Sequence, residues 1–504
     1  MPILALTPLI IPFVVSTTVR VPNDYPKIMD AIAAASDGDT VRVAPGIYRE
    51  RIDPEGKALY LVGAGAELTA LQGPGGAVPP RGGVLRFLNG EGRGTIVEGF
   101  TIQDGVAQVG GGVFFDQGTS PELRRCTIAG NRSLSRGGAI FALGAAPRIF
   151  DCTVRENSSD GGGGGLYYTN GATGEIDFCR IRDNRAALDG GGLRLDGSAP
   201  RVVDCIISEN QAGDDGGGAY IFSDSEARFE RCLFRNNVAA DDGGGLKIYF
   251  ASPTISECAI LDNSSQENGG GIYFESTSGI LERTLVANNA TSAQGAGICC
   301  DESADPIITA CEVRENRSGS AGGGIGCDRG AVPLIRNCIL VENHAEEWGG
   351  GLSAGNGSYP RFEQMLVGKN TAGAGGAALA CAEESRMDLI NSIIWAQKSP
   401  RFTCDPLSAL SLTYCDVQGG WEGVGNLNIP PSLMTWERYN WVLSPGSVCI
   451  DAGSPAAEDG LPWPPGYNNT ARSDIGPYGG PYATTWLPET QRRSSVLPSW
   501  PRSP

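Results

Sequence analysis

The sequence predicts an all-β fold, a single-stranded parallel β-helix whose coils, or rungs, each take about 26–27 residues. Three observations predict it. A cysteine, an asparagine and a glycine run recur in fixed order, the residues between them alternate between apolar and polar, and no window has a helical period. Alternation at period two indicates strands with one buried face. A repeat of this length indicates stacked units, and short strands joined by corners describe a β-helix.

The repeat is defined most clearly by its asparagines. One copy reads DCIISENQAGDDGGGAYI, from Asp204 to Ile221. Successive asparagines lie 26 or 27 residues apart, at Asn131, Asn157, Asn184, Asn210, Asn237, Asn263, Asn289, Asn316, Asn343 and Asn370. The cysteine position lies five residues earlier, at Cys126, Cys152, Cys179, Cys205, Cys232, Cys258, Cys311 and Cys338, with Thr284 and Met365 as substitutes. Equivalent residues of successive rungs are expected to stack about 4.8 Å apart.

Each column of equivalent residues predicts a structural role. The cysteines are expected to be small, reduced core residues. The asparagines are expected to turn a corner, to bond one another through their amides and to adopt the left-handed backbone needed there. The glycine runs, such as Gly216–Gly218, are expected to allow conformations closed to other residues. Outside the ladder, Cys404 and Cys415 are the best candidates for a disulfide.

Composition and period divide the chain into six segments. Residues 1–18 are apolar and short, as in a signal peptide. Residues 19–75 predict an N-terminal cap and first coil, with a short amphipathic helix that covers the open end of the stack. Irregular early rungs (76–125) precede the regular β-helix (126–395). C-terminal rungs and a cap (396–486) follow, and the proline- and serine-rich tail (487–504) is predicted to be disordered.

The net charge narrows the range of partners. The 504 residues carry a formal charge of −18. Such a surface is a poor partner for nucleic acid or an anionic membrane. No segment after the leader reaches the length of a membrane span. The apolar leader predicts a protein that is secreted and extracellular, or held at the cell surface, and we expect a monomer. By analogy with catalytic β-helices, which act on long polysaccharides, a polysaccharide or cell-surface glycan is the expected partner.

One predicted strand presents a stripe of large side chains between its two buried columns. It is expected to be half-exposed and to contact ligand through Tyr167, Arg194, Tyr220, Lys247 and Tyr273. Aromatic rings stack on sugar faces, and the cations pair with uronate carboxylates. An ordinary strand face rich in β-forming residues gives the same pattern. If the protein is an enzyme, Lys247 and Arg194 are the candidate bases, because the single histidine, His344, leaves no histidine triad or metal site.

A column of aspartates precedes the glycine runs, at Asp189, Asp215 and Asp242. Stacked carboxylates repel one another, so a bound calcium ion is one way to hold them. No other cofactor is predicted. A solvated acidic edge is the alternative. A pair of carboxyls about 5 Å apart also suits a retaining glycosidase, although a ladder produces that spacing by itself.

The two ends of the chain carry a family resemblance. The stretch from Tyr25 to Gly65 resembles the opening of the pectin lyase-like superfamily, and the rungs resemble those of bacterial secreted β-helix proteins. The stretch from Leu443 to Gly480 is similar to the ending of the secreted choice-of-anchor group. The resemblance implies a right-handed coil, as does the general rule for parallel crossovers. The pectinesterase signature GQDTLY is absent, so no catalytic aspartate carries over.

Two functions of different class are compatible with these features. The first is a secreted or cell-surface scaffold that binds glycan or cell-surface ligands without catalysis. The second is a polysaccharide lyase or hydrolase that acts on an acidic polysaccharide. The regularity of the rungs favours the scaffold, because residues 126–391 admit no insertion long enough to build a cleft.

Overall fold

The computed structural model describes residues 16–397, 401–436, 439–460 and 472–486. The predicted signal peptide lies almost wholly outside these residues, and the predicted disordered tail lies wholly outside them. The described chain winds into a stack of parallel strands, which confirms the predicted β-solenoid. Each regular rung passes through four sheets in turn. We name them the pre-cysteine, post-cysteine, asparagine and post-glycine sheets, after the residues beside them.

The pre-cysteine and post-cysteine sheets are the longest. The pre-cysteine sheet has sixteen strands, Thr18–Val21, Thr40–Val43, Tyr60–Val62, Ile96–Glu98, Glu122–Arg124, Arg148–Phe150, Glu175–Asp177, Arg201–Val203, Arg228–Glu230, Thr254–Ser256, Ile280–Glu282, Ile307–Thr309, Leu334–Arg336, Arg361–Glu363, Arg386–Ile390 and Ala409–Thr413. The post-cysteine sheet has fifteen strands, Gly46–Tyr48, Thr69–Gln72, Thr101–Gln103, Thr127–Ala129, Thr153–Arg155, Arg180–Arg182, Ile206–Ser208, Leu233–Arg235, Ala259–Leu261, Leu285–Ala287, Glu312–Arg314, Ile339–Val341, Leu366–Gly368, Ile393–Trp395 and Asp416–Val417.

The other two parallel sheets complete the coil. The asparagine sheet has eleven strands, Val106–Val109, Arg132–Arg136, Ser158–Ser159, Arg185–Ala186, Gln211–Ala212, Val238–Ala239, Ser264–Ser265, Ala290–Thr291, Arg317–Ser318, His344–Ala345 and Thr371–Ala372. The post-glycine sheet has thirteen strands, Leu85–Phe87, Val113–Phe115, Ile140–Leu143, Leu166–Thr169, Leu193–Asp196, Ala219–Phe222, Leu246–Tyr249, Ile272–Glu275, Ile298–Asp301, Ile325–Cys327, Leu352–Ala354, Leu379–Cys381 and Phe402–Cys404.

The core is a set of columns that run the length of the stack. Alternate residues of each strand point inward, as Leu193 and Leu195 do, and both are fully buried. Strands pair in register with the next rung, so Leu193 lies opposite Ala219 and Leu195 opposite Ile221. One continuous apolar core therefore joins all the rungs, and each rung is stabilised mainly by its two neighbours.

The asparagine column forms the predicted ladder. Nine side-chain amides each donate to the next asparagine Oδ1 at 2.9–3.0 Å. The predicted left-handed backbone at the asparagine itself is wrong. The preceding residue adopts it instead, for example Asp183 with φ 56° and Asp262 with φ 55°. That residue points to solvent and turns the chain, which leaves the asparagine inside to bond its neighbours.

Glycine is required at the corner that leads into the post-glycine sheet. Gly190 has φ +68°, and a Cβ there would lie 2.3 Å from the carbonyl oxygen of Leu193. Such a contact is shorter than any real Cβ makes, so the turn tolerates no side chain. The chain thereby folds tightly back over the strand that follows it.

The cysteines behave as predicted in the ladder but not outside it. All fifteen are free thiols, and every one except Cys404 is buried. The predicted Cys404–Cys415 disulfide is wrong. Cys404 lies in register with Cys381 on the neighbouring post-glycine strand. Cys415 is buried in the core with its thiol facing the carbonyl of Leu389, so the two thiols belong to different columns.

The N-terminal end is covered by the predicted short helix, Ile28–Ala34. Ile28, Ala31 and Ile32 are buried against the first rung. Lys57 Nζ donates to the carbonyls of Ile32 at 2.7 Å and Ala33 at 2.9 Å, which satisfies the helix C-terminus. No helix among the described residues is long and apolar enough to cross a membrane.

The C-terminal residues divide between the end and the flank of the stack. Trp421 packs against the main core at the end, with its ring 4.9 Å from that of Phe402. An antiparallel hairpin, Leu433–Trp436 and Tyr439–Leu443, and a 3-10 turn, Ala483–Trp486, belong to a segment that folds back along the flank. We call the described part of residues 431–486 the C-terminal flap. It buries outward residues of the post-cysteine sheet, Ile339, Val341, Leu366 and Ile393.

Candidate functional site

The predicted stripe is a single column on the outer face of the post-glycine sheet. Successive strands place Tyr167 beside Arg194, Arg194 beside Tyr220, and Lys247 beside Tyr273. The predicted exposure of this column is wrong. Tyr167 and Tyr273 are each 1% exposed, Lys247 4% and Tyr220 7%. The glycine corners cover the column, since a Cβ on Gly190 would lie 2.9 Å from the Cβ of Arg194.

Cations and aromatic rings alternate along this column. The Arg194 guanidinium lies 5.5 Å from the ring centroid of Tyr167 and 4.9 Å from that of Tyr220. Lys247 Nζ lies 4.0 Å from the ring centroid of Tyr273. Cation–π attraction between such neighbours is worth about 0.5–2 kcal/mol when they are withdrawn from water. The column is therefore a stabilising stack.

The two candidate bases are held in ion pairs. Lys247 Nζ lies 2.6 Å from Glu275, 2.8 Å from Asp242 and 3.7 Å from Asp215. Burial alone would lower the pKa of Lys247, but Asp215 and Asp242 raise it above its ordinary range. Arg194 contacts Asp189, and its pKa is also raised, since Tyr167 and Asp189 outweigh the effect of burial. Both cations are charged at neutral pH, so neither is available to accept a proton.

The predicted aspartate column lies at the glycine corners beside this stack. Asp189 and Asp242 face Arg194 and Lys247, whereas Asp214 and Asp241 lie on the outer side of the corner. Carboxylate oxygens of Asp214, Asp215 and Asp241 all lie within 4.8 Å of one another. A second group of the same kind joins Asp241, Asp242 and Glu267. The structure thus places Asp215 in the first cluster and Asp242 in the second, whereas Asp189 belongs to neither.

Burial perturbs the carboxyls of this acidic corner. It raises the pKa of Asp215 to about 7, against the opposing effect of Lys247. Burial, followed by the negative charge of Asp242, raises the pKa of Asp241 to about 6. Both groups are therefore easier to protonate than ordinary aspartates.

An aromatic surface beyond the stack was missed by sequence reasoning. Phe222 and Tyr249 lie in register at the ends of adjacent post-glycine strands, with ring centroids 5.5 Å apart. Phe250, at the following corner, lies 4.3 Å from Tyr249 and is 52% exposed. We call these three residues the aromatic surface. Phe222 and Tyr249 occupy the fourth position of their strands, which also points outward, so alternation could have found them, whereas Phe250 lies beyond its strand and leaves no such signal.

The columns and corners described above define the chain as a parallel β-solenoid. A family model described as "Right handed beta helix region" matches residues 83–260 and 214–372, which together exceed half of the chain. The chain belongs to this right-handed β-helix family, and the predicted handedness and pectin lyase-like fold are confirmed. No curated protein matches the sequence. The choice-of-anchor resemblance of the C-terminal end stays a prediction.

Several solved structures are similar to the chain. The catalytic domain of Agl-KA has 12% identity over 82% of this chain and 70% of its own, with a TM-score of 0.42. The A-module of the Azotobacter vinelandii mannuronan C-5 epimerase AlgE6 has 12% identity over 80% of this chain and 93% of its own, with a TM-score of 0.36. Pectate lyase Pel9A has 10% identity over 92% of this chain and 96% of its own, with a TM-score of 0.31. The likeness concerns the fold alone.

Proposed function

We propose that this β-helix is a secreted or cell-surface scaffold that binds a glycan without cleaving it. The observation that carries the proposal is the aromatic surface. Phe222, Tyr249 and Phe250 present adjoining, partly exposed rings on a rigid sheet. Rings of this kind stack on the apolar faces of sugars at little entropic cost, because the sheet already holds them.

The buried stack supports binding rather than catalysis. A lyase needs a neutral amine or a free guanidinium beside its substrate, but Lys247 is charged and buried, Arg194 is charged with its side chain only 16% exposed, and both are paired with carboxylates. Tyr167 and Tyr273 donate their hydroxyls to Asp196 and Asp301, so they too are used internally. In this proposal the stack holds the post-glycine sheet rigid, and the aromatic surface makes the contact with the ligand.

The proposal is tested by retention on immobilised polysaccharides. We expect the chain to be retained on at least one neutral or acidic polysaccharide and to release no new reducing ends. Phe250→Ala should weaken retention about fivefold or more, since one aromatic contact contributes about 1 kcal/mol or more. Phe178→Ala is the matched control, because Phe178 is 54% exposed at a different corner. Equal retention of all three proteins would refute the role of the aromatic surface.

We also propose that calcium binds at the acidic corner. Carboxylates are the hard oxygen ligands that Ca²⁺ takes, and Asp214, Asp215 and Asp241 converge closely enough to share one ion. A bound ion would hold the corner beside the buried stack. We expect calcium to raise the melting temperature of the wild type but not of Asp214→Asn/Asp241→Asn. A calcium response that survives in this double variant would place the ion elsewhere.

A polysaccharide hydrolase is the second candidate function. The carboxylate oxygens of Asp214, Asp215 and Asp241 lie within 4.8 Å of one another, and a retaining glycosidase needs two carboxyls about 5 Å apart. Release of new reducing ends by the wild type, abolished in Asp215→Asn, would establish this function. Release of unsaturated uronate products would instead establish a lyase. If neither product were released and the protein were still retained on a glycan, the non-catalytic scaffold would be the supported function.

A further inference from the structure

The C-terminal flap leaves a groove between itself and the flank of the solenoid. The groove consists of two adjoining cavities of about 210 Å³ and 490 Å³, which share Glu312 and Asn440 in their walls. Ligand sites for small molecules range over about 300–1,000 Å³ and combine aromatic walls with a few polar groups. The groove lies against the post-cysteine sheet and has no residue in common with the aromatic surface.

The smaller cavity has a preorganised aromatic wall. Tyr439 and Tyr478 lie edge to face with ring centroids 6.0 Å apart, and Trp486 lies 5.1 Å from Tyr478. The Tyr478 hydroxyl donates to the carbonyl of Asn440 at 2.7 Å, and Trp486 Nε1 donates to the carbonyl of Pro477 at 2.8 Å. These bonds fix the rings, so a ligand would not have to order them.

Opposite this wall lies an arginine with an unused donor. Arg283 lines the cavity, and its side chain is only 8% exposed. Its Nε lies 3.2 Å from Glu257 and its Nη2 lies 2.7 Å from Glu282. Arg283 Nη1 is buried and has no hydrogen-bond partner among the described residues. A buried donor left unpaired costs about 1–3 kcal/mol, so a ligand acceptor that reached Nη1 would recover part of that cost.

The larger cavity is lined by a residue with an unusual backbone conformation. Trp441 has φ 65° although it lies within the strand Tyr439–Leu443. Lys369 Nζ lies 4.8 Å from the centroid of its ring. In the rungs this conformation turns the chain at a corner, as at Asp183, whereas at Trp441 it falls within a strand. Here the conformation presents the indole to the groove beside Leu433 and Met434.

We propose that this groove binds a neutral oligosaccharide. Trp486 lines the smaller cavity and Trp441 the larger one, so each part of the groove offers an aromatic ring to a sugar face, and Arg283 Nη1 suits a hydroxyl or ring oxygen. A neutral ligand fits because the charge of Arg283 is already met by Glu257 and Glu282. The cations beside the larger cavity are likewise paired, Arg314 with Glu312 and Lys369 with Glu342, so neither is left to attract a uronate. The proposal holds whether or not the aromatic surface binds glycan.

Calorimetric titration of the full chain tests the proposal. The probes are neutral hexasaccharides built of glucose, mannose, galactose or xylose, with hexagalacturonate as the charged comparison. We expect at least one neutral probe to bind saturably and hexagalacturonate to bind at least tenfold more weakly. Trp441→Ala should weaken the neutral probe about tenfold or more. Arg283→Lys, which keeps a cation for Glu257 but lacks Nη1, should weaken it about five- to tenfold.

Controls separate this site from the aromatic surface. Trp441→Phe keeps an aromatic ring and should retain most of the affinity, which guards against a loss caused by misfolding. Phe250→Ala should bind the neutral probe as the wild type does. The proposal is overturned if no neutral hexasaccharide binds, or if Trp441→Ala and Arg283→Lys bind it normally. If Phe250→Ala lost binding while Trp441→Ala and Arg283→Lys kept it, the groove proposal would be overturned and glycan binding by the aromatic surface would be supported.

Discussion

Replacing one asparagine in the middle of the ladder should destabilise the whole solenoid. Asn237 is fully buried, and its Nδ2 donates to Asn263 Oδ1 at 3.0 Å and to the carbonyl of Ile207 at 2.9 Å. Its Oδ1 accepts from the backbone N–H and the Nδ2 of Asn210. Asn237→Ala removes all four bonds and leaves the Asn210 backbone N–H with no acceptor.

The expected cost follows from these bonds. A stranded buried donor costs about 1–3 kcal/mol and each of the other three bonds contributes about 1 kcal/mol, so the loss is about 4–6 kcal/mol. The matched control is the neighbouring Asn236→Asp. Asn236 is exposed with φ 54°, and Asp183 and Asp262 hold the same corner in other rungs. We expect this change to cost less than about 0.5 kcal/mol.

Urea unfolding followed by far-ultraviolet circular dichroism measures both changes. Asn237→Ala should lower the midpoint of the first transition strongly, and Asn236→Asp should leave it nearly unchanged. The slope should stay similar if unfolding remains cooperative across the rungs. A loss below about 1 kcal/mol for Asn237→Ala would refute the reasoning, because the ladder bonds would then contribute nothing beyond what water supplies.

Three further predictions concern other columns. Gly217→Ala should prevent correct folding or lower the melting temperature sharply, because its Cβ would lie 2.5 Å from a backbone carbonyl, whereas Gly92→Ala, in open space, should be tolerated. Iodoacetamide should label only Cys404 rapidly in the folded protein and the other fourteen thiols only in denaturant. Rapid labelling of a second thiol, detected by mass spectrometry, would contradict this prediction. Lys247→Met should cost about 3–5 kcal/mol by stranding buried carboxylates, and adding Asp242→Asn should restore part of that loss; no restoration would contradict the ion-pair account.

Much of the fold could be predicted because every rung repeats the same pattern of buried and exposed residues. The asparagine, cysteine and glycine columns appear in the sequence as a period, and in-register stacking turns that period directly into contacts. The left-handed residue before each asparagine was missed because its identity varies, from Asp183 to Lys369, and only its backbone is shared.

The sites were less predictable, for two different physical reasons. Alternation showed that Tyr167 and Lys247 point outward, but the burial of their column depends on how closely the glycine corners pack, which periodicity does not give. The groove joins Arg283, on a regular rung, to Trp441 and Trp486, which lie far along the chain in a segment without repeats. Contacts of that kind leave no period in the sequence.

The asparagine ladder also gives the solenoid a dipole along its long axis. Every side-chain amide presents its oxygen to the preceding rung and its Nδ2–H to the following one, from Asn131 to Asn343. Such dipoles add head to tail and polarise one another, whereas the strand dipoles of sheets largely cancel. The N-terminal end of the ladder therefore carries a partial negative charge and the C-terminal end a partial positive one. A cation placed beside Gly105 and an anion placed beside Gln397 would each meet a complementary field.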